Sequence, residues 1–281
     1  MGERQKTILI TGCSSGIGYH CAHAMKKRGW RVYATVRSER DLQRLQSEGL
    51  SVLLLDYTDQ NSIAKCVHDV LAQTDDRLDA LFNNGAYGQS GALEDLSVDA
   101  LRAQFEANVF GWHELTRLLI PSMRRNGSGR IVQCSSVLGF ISMKYRGAYS
   151  ASKHAVEALS DTMGMELMGS GVHVSLIEPG PIESRFVEHS MEAFHREIDA
   201  ESSPHKEIYA KRLARMKRGG ASRFKLGPDA VQKRLVHALE SPSPRPRYYV
   251  TTPTYVMGFL KRVLSHRALS RFLAKRADQE T

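Results

Sequence analysis

The chain has 281 residues and a formal net charge of +9, and 42% of its residues are hydrophobic. That length suits one large α/β domain, and no linker rich in glycine, serine or proline interrupts it, so we expect a single domain over residues 1–281. No apolar run approaches the roughly 20 residues of a membrane-spanning helix, so we expect no transmembrane helix. No nucleic-acid-binding module accompanies the positive charge, so we expect no binding of nucleic acid.

The N-terminal segment combines a short apolar run with a glycine-rich turn. The run Thr7–Ile10 predicts a strand, which is followed by the turn Thr11–Gly18 and a helix that begins near Ile17. Its three glycines permit a tight turn and a close approach of the backbone to a phosphate, and the N–H groups at the helix start would face that anion. Taken alone, the element could equally be a structural turn. Since the chain enters this strand within about seven residues, we expect no export signal.

Further apolar runs alternate with helical patterns along the chain. This alternation predicts a parallel sheet covered by helices on both faces, which is a Rossmann-type doubly wound α/β fold. The later predicted strands are Arg31–Val36, Val52–Leu55, Leu78–Phe82, Arg130–Cys134, Val172–Ile177 and Tyr248–Val250.

The cysteines and histidines predict no disulfide or metal site. The four cysteines lack Cys-x-x-Cys spacing, so we expect buried free thiols in a reducing compartment. His20 and His23 lie three residues apart without a matching cluster of ligands, and we predict no metal ion there.

Arg37 follows the second predicted strand and bears on cofactor choice. If the glycine turn holds a dinucleotide, an aspartate at this position would bind the adenosine ribose of NAD, whereas an arginine can pair with the additional phosphate of NADP. We therefore expect NADP(H) to be preferred over NAD(H). An exposed arginine at a strand end is the alternative.

The segment Gly147–Lys153 places a phenol and an ammonium four residues apart. On a helix of about 3.6 residues per turn, Tyr149 and Lys153 would project from one face. A nearby ammonium favours the phenolate, so we expect a lowered pKa for Tyr149. Such a pair can protonate or deprotonate a substrate oxygen.

Together, the glycine turn and the Tyr-x-x-x-Lys segment resemble the short-chain dehydrogenase/reductase family, over about residues 6 to 185. Asn83–Ala86 resembles the family's Asn-Asn-Ala-Gly segment, with its last two residues reversed. Asn108 and Ser136 fall where the family has its catalytic asparagine and serine. Pro179 and Gly180 fall where its nicotinamide-facing loop begins. The chain is most similar to the retinol and 17β-hydroxysteroid dehydrogenase-like branch and its bacterial aldehyde-reducing relatives.

The resemblance implies a mechanism for these residues. Tyr149 would donate a proton to a carbonyl oxygen while the nicotinamide delivers hydride to the carbon. Lys153 would lower the pKa of Tyr149 and bind the nicotinamide ribose. Ser136 would polarise the carbonyl, and Asn108 would fix a water that continues a proton relay from Lys153.

The resemblance also implies the cofactor contacts. Asp56 would meet the adenine amino group, with the backbone of Tyr57 beside it, and Ser15 would supply a second donor to the phosphate of NADP. Ile182 and Ser184 would lie at the carboxamide. Asp56 could instead only cap the next turn, and the last two could be ordinary loop residues. The full predicted set is Gly12, Ser14, Ser15, Gly16, Ile17, Gly18, Arg37, Asp56, Tyr57, Asn83, Gly85, Tyr149, Lys153, Pro179, Gly180, Ile182 and Ser184.

Residues 186–225 follow the nicotinamide loop and predict a helical substrate lid. Its apolar side chains would either line the substrate or pack onto the domain. They are Phe186, Met191, Phe194, Ile198, Tyr209 and Leu213.

Residues 255–277 predict a basic amphipathic C-terminal helix. Between residues 241 and 277 there are eight Lys or Arg and no Asp or Glu. Such a helix can lie on an anionic membrane surface, or it can pack against the body or a second subunit. We expect a cytoplasmic homo-oligomer that is either free or membrane-associated through this helix.

The favoured function is an NADP(H)-dependent reductase of a small apolar aldehyde or ketone. One alternative is a steroid or retinol dehydrogenase that oxidises the alcohol. Another is an NADP(H)-binding redox sensor or scaffold without turnover. A binding protein would have no evident need for Asn108, Ser136, Tyr149 and Lys153 together.

Overall fold

The computed structural model describes residues 4–217 and 224–279. Within them, parallel strands form one sheet in the order β3-β2-β1-β4-β5-β6-β7. The strands are β1 (Thr7–Ile10), β2 (Arg31–Val36), β3 (Ser51–Leu54), β4 (Ala80–Asn83), β5 (Gly129–Cys134), β6 (Val172–Glu178) and β7 (Arg247–Tyr249). The predicted parallel sheet is therefore confirmed, with small differences at the strand ends.

Helices separate the strands and continue after the last one. They are α1 (Gly16–Lys27), α2 (Glu39–Ser47), α3 (Gln60–Gln73), α4 (Val98–Phe105), α5 (Gly111–Arg125), α6 (Gly147–Glu166), α7 (Phe186–Glu197), α8 (Lys206–Lys217), α9 (Asp229–Glu240), α10 (Thr252–Val263) and α11 (His266–Gln279). A π-helical turn, Glu106–Phe110, joins α4 to α5.

Both faces of the sheet are buried, as β1 illustrates. Ile8 and Ile10 lie in the core that includes residues of α1 and α9. Leu9, which points the other way, lies in a second core with residues of α3 and α5. All three side chains are fully buried because successive residues of a strand face opposite sides of a sheet. The predicted doubly wound, Rossmann-type single domain is confirmed.

The strand order reverses at β1, which pairs with β2 on one side and β4 on the other. The connections therefore run in opposite directions from this point, and a crevice opens at the carboxyl ends of the strands. The glycine turn follows β1, Arg37 follows β2, Asn84 follows β4 and Ser136 lies two residues after β5. The fold thus brings the predicted cofactor and catalytic segments to one edge of the sheet.

The predicted lid, 186–225, contains α7 and α8. Its last predicted part, around Gly219 to Ser222, lies outside the described residues.

The prediction of one helix over 255–277 is wrong, because the segment forms α10 and α11. Leu264 is extended, with φ −91° and ψ 142°, and ends α10. Ser265 then accepts a hydrogen bond from Ala268 N at 3.3 Å through its Oγ. This is the bond of a helix N-cap, so Ser265 was the sequence signal for the break.

Candidate active site

The glycine turn after β1 is packed against the loop after β4. Gly12 has φ +68°, and a Cβ at this position would lie 2.4 Å from Gly85 Cα. A Cβ on Gly18 would lie 2.3 Å from the carbonyl oxygen of Gly12. Only glycine therefore fits at 12 and 18 without displacement of the backbone.

The reversed pair Gly85-Ala86 fits this close approach. A Cβ on Gly85 would lie 3.2 Å from Gly12 Cα and N and 3.3 Å from the Tyr57 ring. Ala86, by contrast, packs against the core at the α1 face of the sheet. Glycine at 85 thus gives the turn slightly more room, and the methyl group at 86 contributes apolar contact.

The start of α1 is suited to an anion. Ser15 occupies the N-cap position, yet its side chain makes no capping hydrogen bond, and the first turn contains no acidic residue. The hydroxyl of Ser15 and the first N–H groups of the helix are therefore available to a phosphate. Ser14 is held in place by its carbonyl oxygen, which accepts from Arg44 Nη2 at 2.8 Å.

Thr11 joins the glycine turn to the β4 loop, a role that the sequence analysis missed. Its Oγ1 accepts hydrogen bonds from Asn84 N at 2.8 Å and from Gly85 N at 3.2 Å. Asn84 Nδ2 returns a bond to Thr11 O at 3.0 Å. The position of Thr11 directly before Gly12 was the available signal. The two loops therefore form one rigid floor for the crevice.

Three predicted cofactor residues have structural partners of their own. The hydroxyl of Tyr57 donates to Asn83 Oδ1 at 2.8 Å, and Asn83 Nδ2 donates to Thr116 Oγ1 at 2.9 Å. Any cofactor contact by Tyr57 or Asn83 would therefore fall to the backbone. Asp56 Oδ1 accepts from Thr58 N at 2.9 Å. Asp56 thus caps the turn through Oδ1, and its contact with the adenine amino group stays a prediction.

Arg37 is exposed at the carboxyl end of β2. It forms no ion pair with any residue that the structure describes, whereas nearby Arg44 is paired with Asp41 at 2.9 Å and Glu48 at 3.2 Å. An unpaired guanidinium at this edge of the sheet suits the recognition of an additional phosphate.

Tyr149 and Lys153 lie one turn apart on α6, as predicted. The Ser136 hydroxyl lies beside that of Tyr149, close enough to lower the pKa of the phenol. Lys153 is 1% exposed, and its Nζ donates to Cys134 O at 2.8 Å. The same ammonium lies 4.1 Å from the ring centroid of Trp112, a contact that the sequence analysis missed. The residues thus gather around the carboxyl end of β5.

The pKa of Tyr149 is raised, whereas the sequence analysis expected it to be lowered. Burial raises the pKa of the Tyr149 phenol above its ordinary value, with the nearby Ser136 hydroxyl acting in the opposite direction. The Lys153 ammonium, which donates to Cys134 O and lies 5.8 Å from the ring centroid of Tyr149, does not offset this effect of burial. Burial also lowers the pKa of Lys153 to about 8, against the charges of Cys134 and Glu157. Desolvation therefore dominates over the pairing of the two groups.

Asn108 lies in the π-helical turn and is fully buried. Its Nδ2 donates to Tyr87 O at 2.8 Å, and its Oδ1 accepts from Tyr87 N at 3.2 Å. A third contact joins Nδ2 to Ser152 Oγ on α6 at 3.3 Å. Asn108 thus connects the loop after β4 to the helix of Tyr149. Its part in a proton relay stays a prediction.

The loop after β6 reaches across the crevice. Pro179 O accepts from Val137 N at 2.8 Å, which ties this loop to the segment after Ser136. Ile182 forms a short parallel bridge with Leu226. A Cβ on Gly16 would lie 2.9 Å from Ser184 Cβ. The predicted nicotinamide loop is therefore in contact with the glycine turn.

A Cβ on Gly180 would lie 2.1 Å from Thr251 Oγ1. Glycine at this position therefore lets the nicotinamide loop lie against the residue before α10.

The apolar residues of the lid lie in two different surroundings. The Phe186 ring lies 5.2 Å from the ring of Tyr149 and therefore covers it. Met191 is partly buried. The remaining four pack with Ala92 into a separate small core that holds the lid down, and they are Phe194, Ile198, Tyr209 and Leu213.

The four cysteines are free and buried, and burial raises the pKa of Cys13 to about 12. His20 and His23 contact different side chains, Gln232 at 3.4 Å and Glu48 at 2.8 Å. Among the described residues, no group of three or more His, Cys, Asp or Glu is arranged to hold a metal ion.

Comparison with known proteins identifies similar sequences over most of the chain. The family described as short chain dehydrogenase matches residues 6–194. The uncharacterized oxidoreductase YbbO of Escherichia coli K12 is 42% identical over 269 residues, covering 96% of this chain and 94% of YbbO. The 17-beta-hydroxysteroid dehydrogenase type 1 of Homo sapiens is 33% identical over 256 residues, covering 87% of this chain and 77% of that enzyme.

Solved structures agree with these sequences. A short-chain dehydrogenase from Streptomyces avermitilis has a TM-score of 0.79 and 30% identity, with 94% of each chain covered. A short-chain dehydrogenase from Burkholderia cenocepacia, solved with NADP, has a TM-score of 0.75 and 21% identity, covering 97% and 99%. One from Burkholderia phymatum, solved with NAD, has a TM-score of 0.78 and 24% identity, covering 94% of each. The last two support the fold alone.

Proposed function

This chain belongs to the short-chain dehydrogenase/reductase family, near its retinol and 17β-hydroxysteroid dehydrogenase branch, and from that membership we propose that it is an NADP(H)-dependent reductase of an apolar aldehyde or ketone. Membership makes it an oxidoreductase with a nicotinamide cofactor. The observation that carries the reaction is that the Ser136 hydroxyl lies beside that of Tyr149, with the buried Lys153 close to the tyrosine ring.

The residues of the crevice fit such a cofactor. The glycine turn leaves no room for side chains at Gly12 and Gly18, and the Ser15 hydroxyl and first N–H groups of α1 have no capping partner. Arg37 would meet the additional phosphate, which favours NADP(H) over NAD(H). When bound, NADPH supplies the hydride that reduces the carbonyl carbon.

The chain's own residues would manage the proton. Ser136 and Tyr149 would both donate hydrogen bonds to the carbonyl oxygen, and Tyr149 would transfer its proton as negative charge develops there. A charged Lys153, brought within reach of the phenolate, would stabilise it. With a pKa of about 8, Lys153 carries its proton in most molecules at neutral pH.

The surroundings of Tyr149 favour an apolar substrate. Tyr149 packs in a cluster with Val137, Phe140 and Met143, and the Phe186 ring covers it from the lid. Such a wall offers apolar contact to a substrate carbonyl.

The test is turnover by the purified protein. NADPH and NADH would be compared as reductants of medium-chain aldehydes, retinal and ketosteroids. We expect NADPH-dependent reduction of at least one class. Tight binding of NADPH without any turnover would favour the redox sensor instead.

A second candidate is a dehydrogenase that oxidises a steroid or retinol. The 33% identity with a human 17-beta-hydroxysteroid dehydrogenase favours it. The two functions share one site and differ in substrate and direction. Faster oxidation of a steroid alcohol or retinol with NADP⁺ than reduction of any carbonyl would favour the second.

We also propose a homo-oligomer in the cytoplasm. Leu101 of α4, Phe110 of the π-helical turn and Leu159 of α6 are large exposed apolar side chains, which suits a subunit contact. The four buried free thiols suit a reducing compartment. Light scattering of the purified protein tests the first proposal, and fractionation of cells tests the second.

A further inference from the structure

The C-terminal helices α10 and α11 are fixed to the active site by their inner side. Met257 of α10 and Leu269 and Phe272 of α11 pack in the same apolar cluster as Tyr149. Leu273 is 8% exposed and completes that contact. The helix pair is therefore a firm part of the domain and not a loose tail.

The outer side of α10 presents an apolar row. Tyr255, Val256, Phe259 and Val263 are 50%, 44%, 64% and 57% exposed. Residues three, four and seven or eight apart lie on one face of a helix, so these side chains form a single stripe about 12 Å long. In a soluble monomer, a continuous stripe of this kind marks a contact surface.

Positive charges accompany this stripe. Lys261 and Arg262 are exposed at the end of α10, next to Val263. Arg267, Arg271 and Lys275 are exposed at intervals of four residues on α11, which places them on one face of that helix. None of these five cations forms an ion pair with a residue that the structure describes.

We propose that the α10–α11 pair docks on an anionic lipid surface. The apolar row would enter the boundary between headgroups and acyl chains, while the five cations would meet lipid phosphates. A two-fold contact between copies of this chain would place the same five cations on both sides of the interface, and that repulsion disfavours a second copy as the occupant. No described helix is long and apolar enough to cross a membrane, so the contact would lie along the surface.

Sedimentation with vesicles tests the proposal. Vesicles of phosphatidylcholine alone would be compared with vesicles that also contain phosphatidylglycerol. We expect binding to the anionic vesicles and weaker binding as salt is added. The double variant Arg267→Glu/Arg271→Glu should bind at least about 30-fold more weakly, since each basic residue near such a surface favours binding by a factor of about five and the new carboxylates are repelled by it. Phe259→Ser/Val263→Ser should also weaken binding while leaving the salt dependence in place.

Matched variants away from the helix pair provide the control. Lys27→Glu/Lys65→Glu changes the net charge by the same amount, and Met168→Ser alters a side chain that is 77% exposed on another surface. Both should bind anionic vesicles as the unmodified protein does, and thermal melting would establish that all variants are folded.

Equal binding to both kinds of vesicle, or unchanged binding by the Arg267→Glu/Arg271→Glu variant, would overturn the proposal. So would dissociation of an oligomer in Phe259→Ser/Val263→Ser without any vesicle binding by the unmodified protein, because the stripe would then be a subunit interface. Vesicle binding requires no catalysis, so a failure of the reductase assay would leave this test intact.

Discussion

The guanidinium of Arg247 lies 2.5 Å from the carboxylate of Glu178, the fully buried residue directly before Pro179. Arg247 also contacts Glu157, which is buried on α6 one turn after Lys153. One guanidinium therefore faces two buried carboxylates beneath the active site. Burial, followed by the charge of Glu157, raises the pKa of Glu178 to about 8. Glu178 therefore keeps its proton to a higher pH than an exposed glutamate does.

This proton makes stability depend on pH. In the unfolded chain Glu178 loses its proton near its ordinary pKa of 4.5, whereas the folded protein keeps it to about pH 8. As pH rises through that window, ionisation stabilises only the unfolded state, so Glu178 lowers the free energy of unfolding by up to about 1.4 kcal/mol per pH unit. Glu178→Gln cannot ionise at this position. We therefore expect the free energy of unfolding of the variant, relative to that of the unmodified protein, to increase as the pH rises from about 5 to about 8.

Urea denaturation at several pH values measures this difference. The control is Glu207→Gln, at an exposed position of α8. A difference between Glu178→Gln and the unmodified protein that stays constant over the whole window would contradict the account.

Gly12→Ala tests the close approach of the two cofactor loops. The added Cβ would lie 2.4 Å from Gly85 Cα at φ +68°, so the loops must separate. Gly29→Ala is the matched control, because Gly29 has φ +91° and nothing within 4 Å of the added Cβ. Both changes should cost about 1–2 kcal/mol of backbone strain.

We expect only Gly12→Ala to weaken NADPH binding as well, by at least about tenfold, which corresponds to about 1.4 kcal/mol. Fluorescence titration with NADPH measures the affinity, and denaturation measures the strain. Equal NADPH affinities in the two variants would show that the contact between the loops does not shape the site.

Arg37→Ser tests the choice of cofactor. Loss of a charge-assisted bond to phosphate costs about 1.5–3 kcal/mol, so kcat/KM for NADPH should fall by about 10- to 100-fold while that for NADH changes little. Steady-state rates with both cofactors provide the measurement. Arg40→Ser, which removes an exposed arginine three residues later, is the control. If kcat/KM for NADPH fell in Arg40→Ser and not in Arg37→Ser, the assignment of Arg37 would be wrong.

Phe186→Ala tests whether the lid covers the substrate. The Phe186 ring lies 5.2 Å from that of Tyr149, and its removal should raise KM for an apolar carbonyl by about tenfold through lost apolar contact. The NADPH affinity should stay the same. Kinetics with carbonyl substrates of increasing chain length would measure the effect. An unchanged KM for every substrate would place Phe186 outside the substrate site.

The sheet and the main site segments could be predicted because their signals are local. Thr7–Ile10 is apolar and is followed by a glycine turn, and Tyr149 and Lys153 are four residues apart on one helix. Contacts between distant segments could not be predicted in this way. Lys153 bonds to Cys134 O because β5 ends beside α6, and that meeting depends on the whole sheet. The break at Ser265 was local, yet a continuous apolar pattern concealed it.

Tyr149→Phe is the measurement that tests the central claim most directly. The variant keeps the ring that packs beneath Phe186 and loses only the hydroxyl beside Ser136. We predict that carbonyl-dependent oxidation of NADPH falls by a factor of about 10² to 10⁴, the usual contribution of a positioned general acid, while the dissociation constant for NADPH stays within about twofold. Turnover retained near the rate of the unmodified protein would contradict the assignment of Tyr149 as the proton donor.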